Sequence, residues 1–312
     1  MQNQIMHAMG PSVTREQSAY VATRTILLAS GHFRYLEQGE ATAPLVILAH
    51  GFPDVPKTFL PLMAYLSAAG YRCVAPFLRG YAPSILTGPF DRQRVGDDLA
   101  DLAEALCPDV PVVLVGHDWG AAATYTAVSR WPQRFRRAIT LGVPHVAAFE
   151  RNLKCSRAQQ LRSLHMAFLM MPGLPERIVP RNDFAYIDKL WQRWSPDYTP
   201  TLEHMDEIKA CLRSSMPGPF GYFRALRPSR MRMVQARLDA RVAIHVPLLH
   251  LHGREDGCIA YEMAAGQARF FKAEFHSEVL AGLGHFLHLE DPGLVAREIL
   301  AFIAPAAARA IR

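Results

Sequence analysis

Nothing in this chain approaches the roughly 20 consecutive apolar residues that a membrane-spanning helix needs; runs such as Leu45–Ala49 and Pro111–Val115 stop after five residues. No membrane association is expected. The first 22 residues lack the basic start, apolar stretch and small-residue cleavage site of a secretory signal and are expected to form a polar N-terminal arm. Five cysteines, Cys73, Cys107, Cys155, Cys211 and Cys258, are odd in number and widely scattered. Without a Cys-x-x-Cys pair they exclude a disulfide framework or zinc knuckle and fit a reducing, cytoplasmic setting. There is no His-Glu-x-x-His. The one close histidine pair, His285 and His288, has no third ligand in register, so no metal is expected. A Gly-Lys-Ser/Thr phosphate loop is missing, and Gly282-Leu283-Gly284 lacks the third glycine of a dinucleotide fingerprint, so no cofactor is expected either. A compact basic run is also missing. Residues 145–240 hold 15 Lys+Arg against 9 Asp+Glu, which accounts for the whole net charge of +6. Because these arginines are spread at helical intervals, the excess reads as a solvated helical surface rather than a nucleic-acid site.

What is present is a chain of 312 residues, half of them hydrophobic and 20% charged. That is enough to bury one large core and carry an insertion. Strands are expected at Thr23–Leu28, His32–Glu37, Leu45–Ala49, Tyr71–Ala75, Val112–Val115, Arg137–Leu141, Pro247–Leu251 and Glu274–Leu280. The first two form a hairpin about Gly31, and from the third onward strands alternate with helical periodicity: Phe59–Leu66, Val95–Leu106, Ala121–Ser129, Tyr261–Phe271 and Pro292–Ile303. Such alternation predicts an α/β fold, an eight-stranded and mostly parallel sheet with helices on both faces. Between residues 145 and 228 the alternation stops and Met-, Arg-, Trp- and Pro-rich helical sequence takes over, predicting an inserted helical lid. The core is then 23–144 and 229–312, re-entered through a helix at Ser229–Leu238.

The most informative segment is the apolar strand Val112–Val115 running through Gly116-His117-Asp118-Trp119-Gly120 directly into a helix. So sharp a strand-to-helix turn needs small residues on both sides and lifts the central side chain over the carboxyl end of the sheet. That side chain is Asp118. No Gly-x-Ser-x-Gly exists elsewhere to supply a serine. Asp256 follows a later strand, with Glu255 as a competing acid, and His285 follows the last strand within Gly282-Leu283-Gly284-His285-Phe286. The order nucleophile, acid, histidine gives Asp118 as nucleophile, His285 as the base that activates water and Asp256 as its orienting carboxylate. The backbone amides of Phe52, in His50-Gly51-Phe52-Pro53, and of Trp119 are candidates for an oxyanion hole. His250, His252 and His288 read as packing residues.

These motifs together resemble the α/β-hydrolases of the epoxide hydrolase and haloalkane dehalogenase group, over about residues 23–305. The resemblance implies the α/β-hydrolase fold with a lid. It also implies that Asp118 attacks carbon to give an alkyl ester, which water activated by His285 then hydrolyses. An apolar epoxide opened to a diol is the expected reaction, with haloalkane dehalogenation the alternative and a non-catalytic small-ligand-binding protein a third reading. Partners are then a small apolar substrate and water, in a monomer or homodimer. Epoxide hydrolases carry two lid tyrosines that hold the epoxide oxygen, whereas Phe168 and Phe223 stand at the matching positions here and are expected to bind substrate as apolar pocket walls. His165 and Tyr222 are therefore the expected substitute donors, and Tyr186 and Tyr198 the next candidates. A dehalogenase would use Trp119 for halide, but Phe52 supplies no second side-chain donor. The arginines that hold haloacids in fluoroacetate dehalogenases are replaced by Trp119 and Ala122.

Overall fold

The computed structural model describes residues 20–227 and 243–304. Most of the N-terminal arm and the expected helix Ser229–Leu238 lie outside the described residues. Strands β1 (Ala22–Leu28), β2 (Gly31–Gln38), β3 (Leu45–Ala49), β4 (Arg72–Pro76), β5 (Val112–His117), β6 (Phe135–Leu141), β7 (Leu248–Gly253) and β8 (Phe275–Leu280) form one eight-stranded sheet in the order β1-β2-β4-β3-β5-β6-β7-β8. The β1–β2 and β2–β4 pairs are antiparallel and all others are parallel.

The apolar runs that mark β3 and β5 are buried along their whole length, as central parallel strands covered on both faces must be. Alternation assigns the faces. Val46, Leu48, Val113 and Val115 pack on Leu62 and Leu66 of α1 (Leu60–Ala68) and on Val295 and Ile299 of the C-terminal helix Pro292–Ile303. Leu45, Ile47, Val112 and Leu114 turn the other way, toward Val95 and Leu99 of α2 (Arg92–Leu106) and Ala123 and Ala127 of α3 (Trp119–Arg130). Burying each such Val, Leu or Ile side chain contributes about 1.5–3 kcal/mol. Helix starts are fixed locally: the Asp91 carboxylate caps α2 by accepting the amides of Gln93 and Arg94.

Between β6 and β7 the chain runs through α4 (Val146–Leu153), α5 (Arg157–Arg162), α6 (Leu164–Leu169), α7 (Leu174–Ile178), α8 (Arg181–Trp194), α9 (Leu202–Ser215) and α10 (Gly218–Arg224). The first turn of α8, Asn182–Phe184, is left-handed. Trp191, Ile208 and Leu212 of these helices join the core on the α2/α3 face of the sheet. After β8 come α11 (Leu287–Glu290) and α12 (Pro292–Ile303). One expected element is corrected. Tyr261–Phe271 is not a continuous helix but two short 3₁₀ turns, Tyr261–Ala264 and Gln267–Phe270, because Gly266 between them has φ +72°. Met263 and Phe270 are buried as the periodicity required, so the pattern was real but the helix was not. Among the described residues no helix is long and apolar enough to cross a membrane.

Candidate active site

The parallel strands all end at one edge of the sheet, and the loops leaving β3, β5, β7 and β8 meet there. Asp118 occupies the turn between β5 and α3 with φ 49° and ψ −115°, a backbone conformation that non-glycine residues rarely adopt. Neighbouring glycines make room for it. A Cβ on Gly120 would run into the Ala49 carbonyl, and one on Gly51 into the Asp118 side chain. Since the Ala49 carbonyl belongs to a central strand and cannot move aside, Gly120→Ala should destabilise the fold by about 1–3 kcal/mol. That would appear in denaturant unfolding as a lower midpoint with an unchanged slope.

Asp118 Oδ1 accepts the Phe52 amide at 2.8 Å, and Oδ2 stands 3.7 Å from His285 Nε2. The Trp119 amide is at the first position of α3, where the helix supplies no acceptor for it. His285 Nδ1 bonds Asp256 Oδ2 at 2.8 Å. The other oxygen of Asp256 accepts the amides of Cys258 and Ile259 at 2.7 and 2.8 Å. Both side chains are fully buried. The imidazole therefore chooses Asp256 over Glu255, one of whose oxygens is buried without a hydrogen-bond partner.

Burial pushes the Asp256 carboxyl up, but the His285 and His252 rings beside it outweigh burial and hold it well below the usual carboxylate range. In the same way burial lowers His285, and the charges of Asp256 and Asp118 reverse this and raise it to about 10. Asp118 is held below its ordinary value, its burial offset by the His285 ring and the Phe52 amide. The unliganded site thus stores an imidazolium between two carboxylates.

Above Asp118 lies a cavity of about 240 Å³. Its walls are mostly apolar, with Phe149, Leu153, Met166, Phe223 and Trp194 from the inserted helices facing Trp119 and Ile259. Two expected substrate contacts, and the donor role of a third residue, need correction. The Tyr222 hydroxyl donates to the Arg79 carbonyl at 2.7 Å, and its ring is buried away from the cavity lining. Phe168 is likewise not among the described lining residues; its ring packs on Tyr186, 5.3 Å between centroids. His165 does line the cavity, but its Nδ1 lies 2.9 Å from the Arg162 carbonyl. A carbonyl only accepts, so that nitrogen carries the proton. Because burial lowers the ring to about 4, His165 is neutral at ordinary pH and turns an acceptor, not a donor, outward from Nε2. Phe223 lines the cavity as expected, and Tyr198 is not among the described lining residues.

The residue that sequence reasoning missed is Trp194, at the end of α8. It lines the cavity, its ring centroid is 5.1 Å from that of His285 and 4.9 Å from that of His165, and its indole N–H is buried with no acceptor. No motif marks it. Its place follows from the path of α8 alone. Among the described residues the one group with metal-ligand spacing is Asp54, His117 and His288, which each offer a ligand atom within 4.8 Å of the others and each hold one buried atom without a hydrogen-bond partner. Three converging buried polar atoms of this kind also suit an ordered water.

The model of the alpha/beta hydrolase family matches residues 46–298. The chain belongs to that family. It is similar to the AB hydrolase superfamily protein YfhM of Bacillus subtilis, 25% identical over 85% of this chain and 92% of that protein. It is also similar to human epoxide hydrolase 4, 26% identical over 87% of this chain and 75% of that protein. Among solved structures, Cfl2 of Burkholderia cenocepacia superposes with a TM-score of 0.80 at 24% identity, covering 90% of this chain and 95% of that one. Epoxide hydrolase A of Mycobacterium thermoresistibile gives 0.73 at 23% identity, covering 91% and 98%. The family, its fold and its epoxide hydrolase relatives agree with the resemblance read from the motifs.

Proposed function

We propose that this α/β-hydrolase opens an apolar epoxide to a diol through an Asp118 alkyl ester, with the helical insertion, residues 145–228, as the lid over the site. The observation that carries this reading is an aspartate at the positive-φ turn, 3.7 Å from the Nε2 of a histidine that is itself bonded to a buried aspartate. A carboxylate is a poor nucleophile toward an ordinary ester carbonyl but displaces a leaving group from carbon when a strained ring or halide is offered. In the first step Oδ2 of Asp118 bonds to a ring carbon, the C–O bond breaks and its electron pair stays on the epoxide oxygen, which takes a proton from water, while the His285 imidazolium, no longer facing a charged Asp118, gives one back to water. Next, His285 removes a proton from water as its oxygen adds to the Asp118 carboxyl carbon. The negative charge that develops falls on Oδ1, at the Phe52 amide and near that of Trp119. On collapse the acyl C–O bond breaks, the departing diol oxygen takes the proton that His285 had removed, and the second water proton, left on the Asp118 carboxyl, passes to His285, which restores carboxylate and imidazolium. Epoxide hydrolase relatives, similar over most of the chain, support the epoxide over other substrates.

The leaving oxygen needs a donor, and neither His165 nor Tyr222 supplies one. Trp119, Trp194 and Ser163 line the cavity and carry donor groups, and the indole N–H of Trp194 is buried without an acceptor. Two tryptophans at one cavity also suit a halide, so this observation favours haloalkane dehalogenation as the second reading. Styrene-type epoxides and haloalkanes, with diol and halide measured separately, distinguish the two. Diol without halide is expected, while halide without diol would replace the first reading by the second. Trp194→Phe keeps the ring and deletes the N–H. Charge-assisted hydrogen bonds are worth about 1.5–3 kcal/mol, so it should slow ester formation by roughly 10- to 100-fold. An unchanged rate would remove the indole from the reaction.

A further inference from the structure

Three consecutive amides carry the loop that holds His285; two are received by residues about 90 positions earlier in the chain and one by Glu290, just beyond the loop. Gly284 N–H donates to Glu290 Oε2 at 2.7 Å, His285 N–H to the Trp194 carbonyl at 3.0 Å and Phe286 N–H to Ser195 Oγ at 3.0 Å. Ser195 Oγ in turn donates its O–H to Glu290 Oε1 at 2.6 Å, which closes the circuit. The Trp194 carbonyl also accepts Gly257 N–H at 3.0 Å, from the loop that carries Asp256. The fit is tight: a Cβ on Gly284 would lie 2.7 Å from Ser195 Cα and 2.8 Å from its Oγ, and one on Gly257 would meet the Arg193 carbonyl. Ser195 is fully buried, although it lies at the end of a helix of the insertion rather than in the sheet domain. The loops of the acid and of the base thus both bond the last turn of α8, the acid loop being held as well by Arg162 and Gln159 of α5.

We propose that Ser195 and Glu290 are positioning residues: through the amides of Gly284 and Phe286 they fix the distance and direction of His285 Nε2 toward Asp118. A buried serine, bonded on both sides, serves better here than a second backbone contact, since its hydroxyl accepts from one loop and donates to the carboxylate that anchors the same loop. Neither side chain touches the cavity, so neither meets substrate. The inference rests on the two-step ester reading, and the two steps make it testable. Ester formation needs only Asp118 and the leaving-group donors, whereas ester hydrolysis needs His285 in place.

The test is Ser195→Ala, followed by rapid mixing with epoxide and intact-mass detection of the adduct, beside wild type and His285→Gln. Misplacing a reacting group by about 1 Å costs on the order of 100-fold. Hydrolysis of the adduct should therefore slow by roughly 10- to 100-fold, with formation within about twofold of wild type, so that adduct accumulates. Ser195→Thr, which keeps the hydroxyl, should restore most of the hydrolysis rate. Glu290→Ala should give the same split, and the double variant should be little worse than either single one, as expected for two parts of one circuit. If His285→Gln accumulates adduct and Ser195→Ala does not, or if both steps slow equally, the positioning role is wrong. If His285→Gln itself accumulates none, it is the ester reading that fails. Should Ser195→Ala not fold, Glu290→Ala is measured by the same split and decides the same way.

Discussion

Asp118→Ala should lose turnover by at least about 10⁴-fold, the scale on which covalent nucleophiles fail when removed. Single turnover of the wild type in ¹⁸O-water should leave the label in the Asp118 carboxylate and none in the first diol. The reason is the path of the oxygens. The oxygen that enters the diol in the first cycle is Oδ2, the one not held by Phe52, and water replaces it only when the ester breaks. Label in the diol from the first turnover, with Asp118 unlabelled, would mean that water attacks the epoxide directly and that the strained turn at φ 49° serves some other purpose.

His285→Gln should form ester at close to the normal rate and hydrolyse it at least about 10³-fold more slowly, the adduct appearing as a mass increase equal to that of the substrate. On the proposed mechanism the electrostatics account for an imidazole that is inert in the first step and a base in the second. Before reaction it is held protonated, up to about 10, by Asp256 and Asp118 against burial. Esterification neutralises Asp118, the proton affinity of the ring falls, and burial then favours the neutral form that accepts a proton from water. The sign for pH follows. Protonation of the ring in the ester state blocks hydrolysis, so lowering pH should slow adduct decay first. Adduct formation persists to lower pH, since the Asp118 carboxyl is held below its ordinary value. Asp256→Asn should slow the same hydrolytic step, and Glu255→Gln should leave it unchanged. Equal loss in the two acid variants would mean that the 2.8 Å bond to Asp256 is not the one that matters.

The sheet was legible because its strands are self-contained signals. Leu45–Ala49 is apolar throughout, and its limits in the structure are those expected. Asp118, Asp256 and His285 were legible for a related reason: each stands in a loop whose glycines and preceding strand announce a sharp turn, so their meeting follows from topology. Whatever depends on side-chain direction was not. Tyr222 and Phe223 are neighbours in sequence, yet one bonds the Arg79 carbonyl and the other faces the cavity. His165 was correctly brought to the cavity, but the nitrogen it presents depends on a carbonyl three residues earlier. Trp194, Ser195 and Glu290 act through contacts that span as many as 95 residues of chain, and no local pattern encodes those.

The anchoring of both catalytic loops to the last turn of α8 divides the insertion into two parts with different freedom to vary. Phe149, Leu153 and Met166, on α4 and α6, shape the cavity without holding Asp256 or His285. Substitutions there can alter which substrate fits while the chemistry stays intact. Arg193–Ser195 has no such freedom, since its backbone is part of the floor on which acid and base stand. A chimera that receives the helices of a relative should therefore keep activity only if the graft retains Gln159 and Arg162, which hold the Asp256 loop, and either ends before Arg193 or brings a matching Glu290 and histidine loop with it. Selection for new substrates would be expected to spend its changes on the cavity faces of α4 and α6 and to leave these anchoring residues alone.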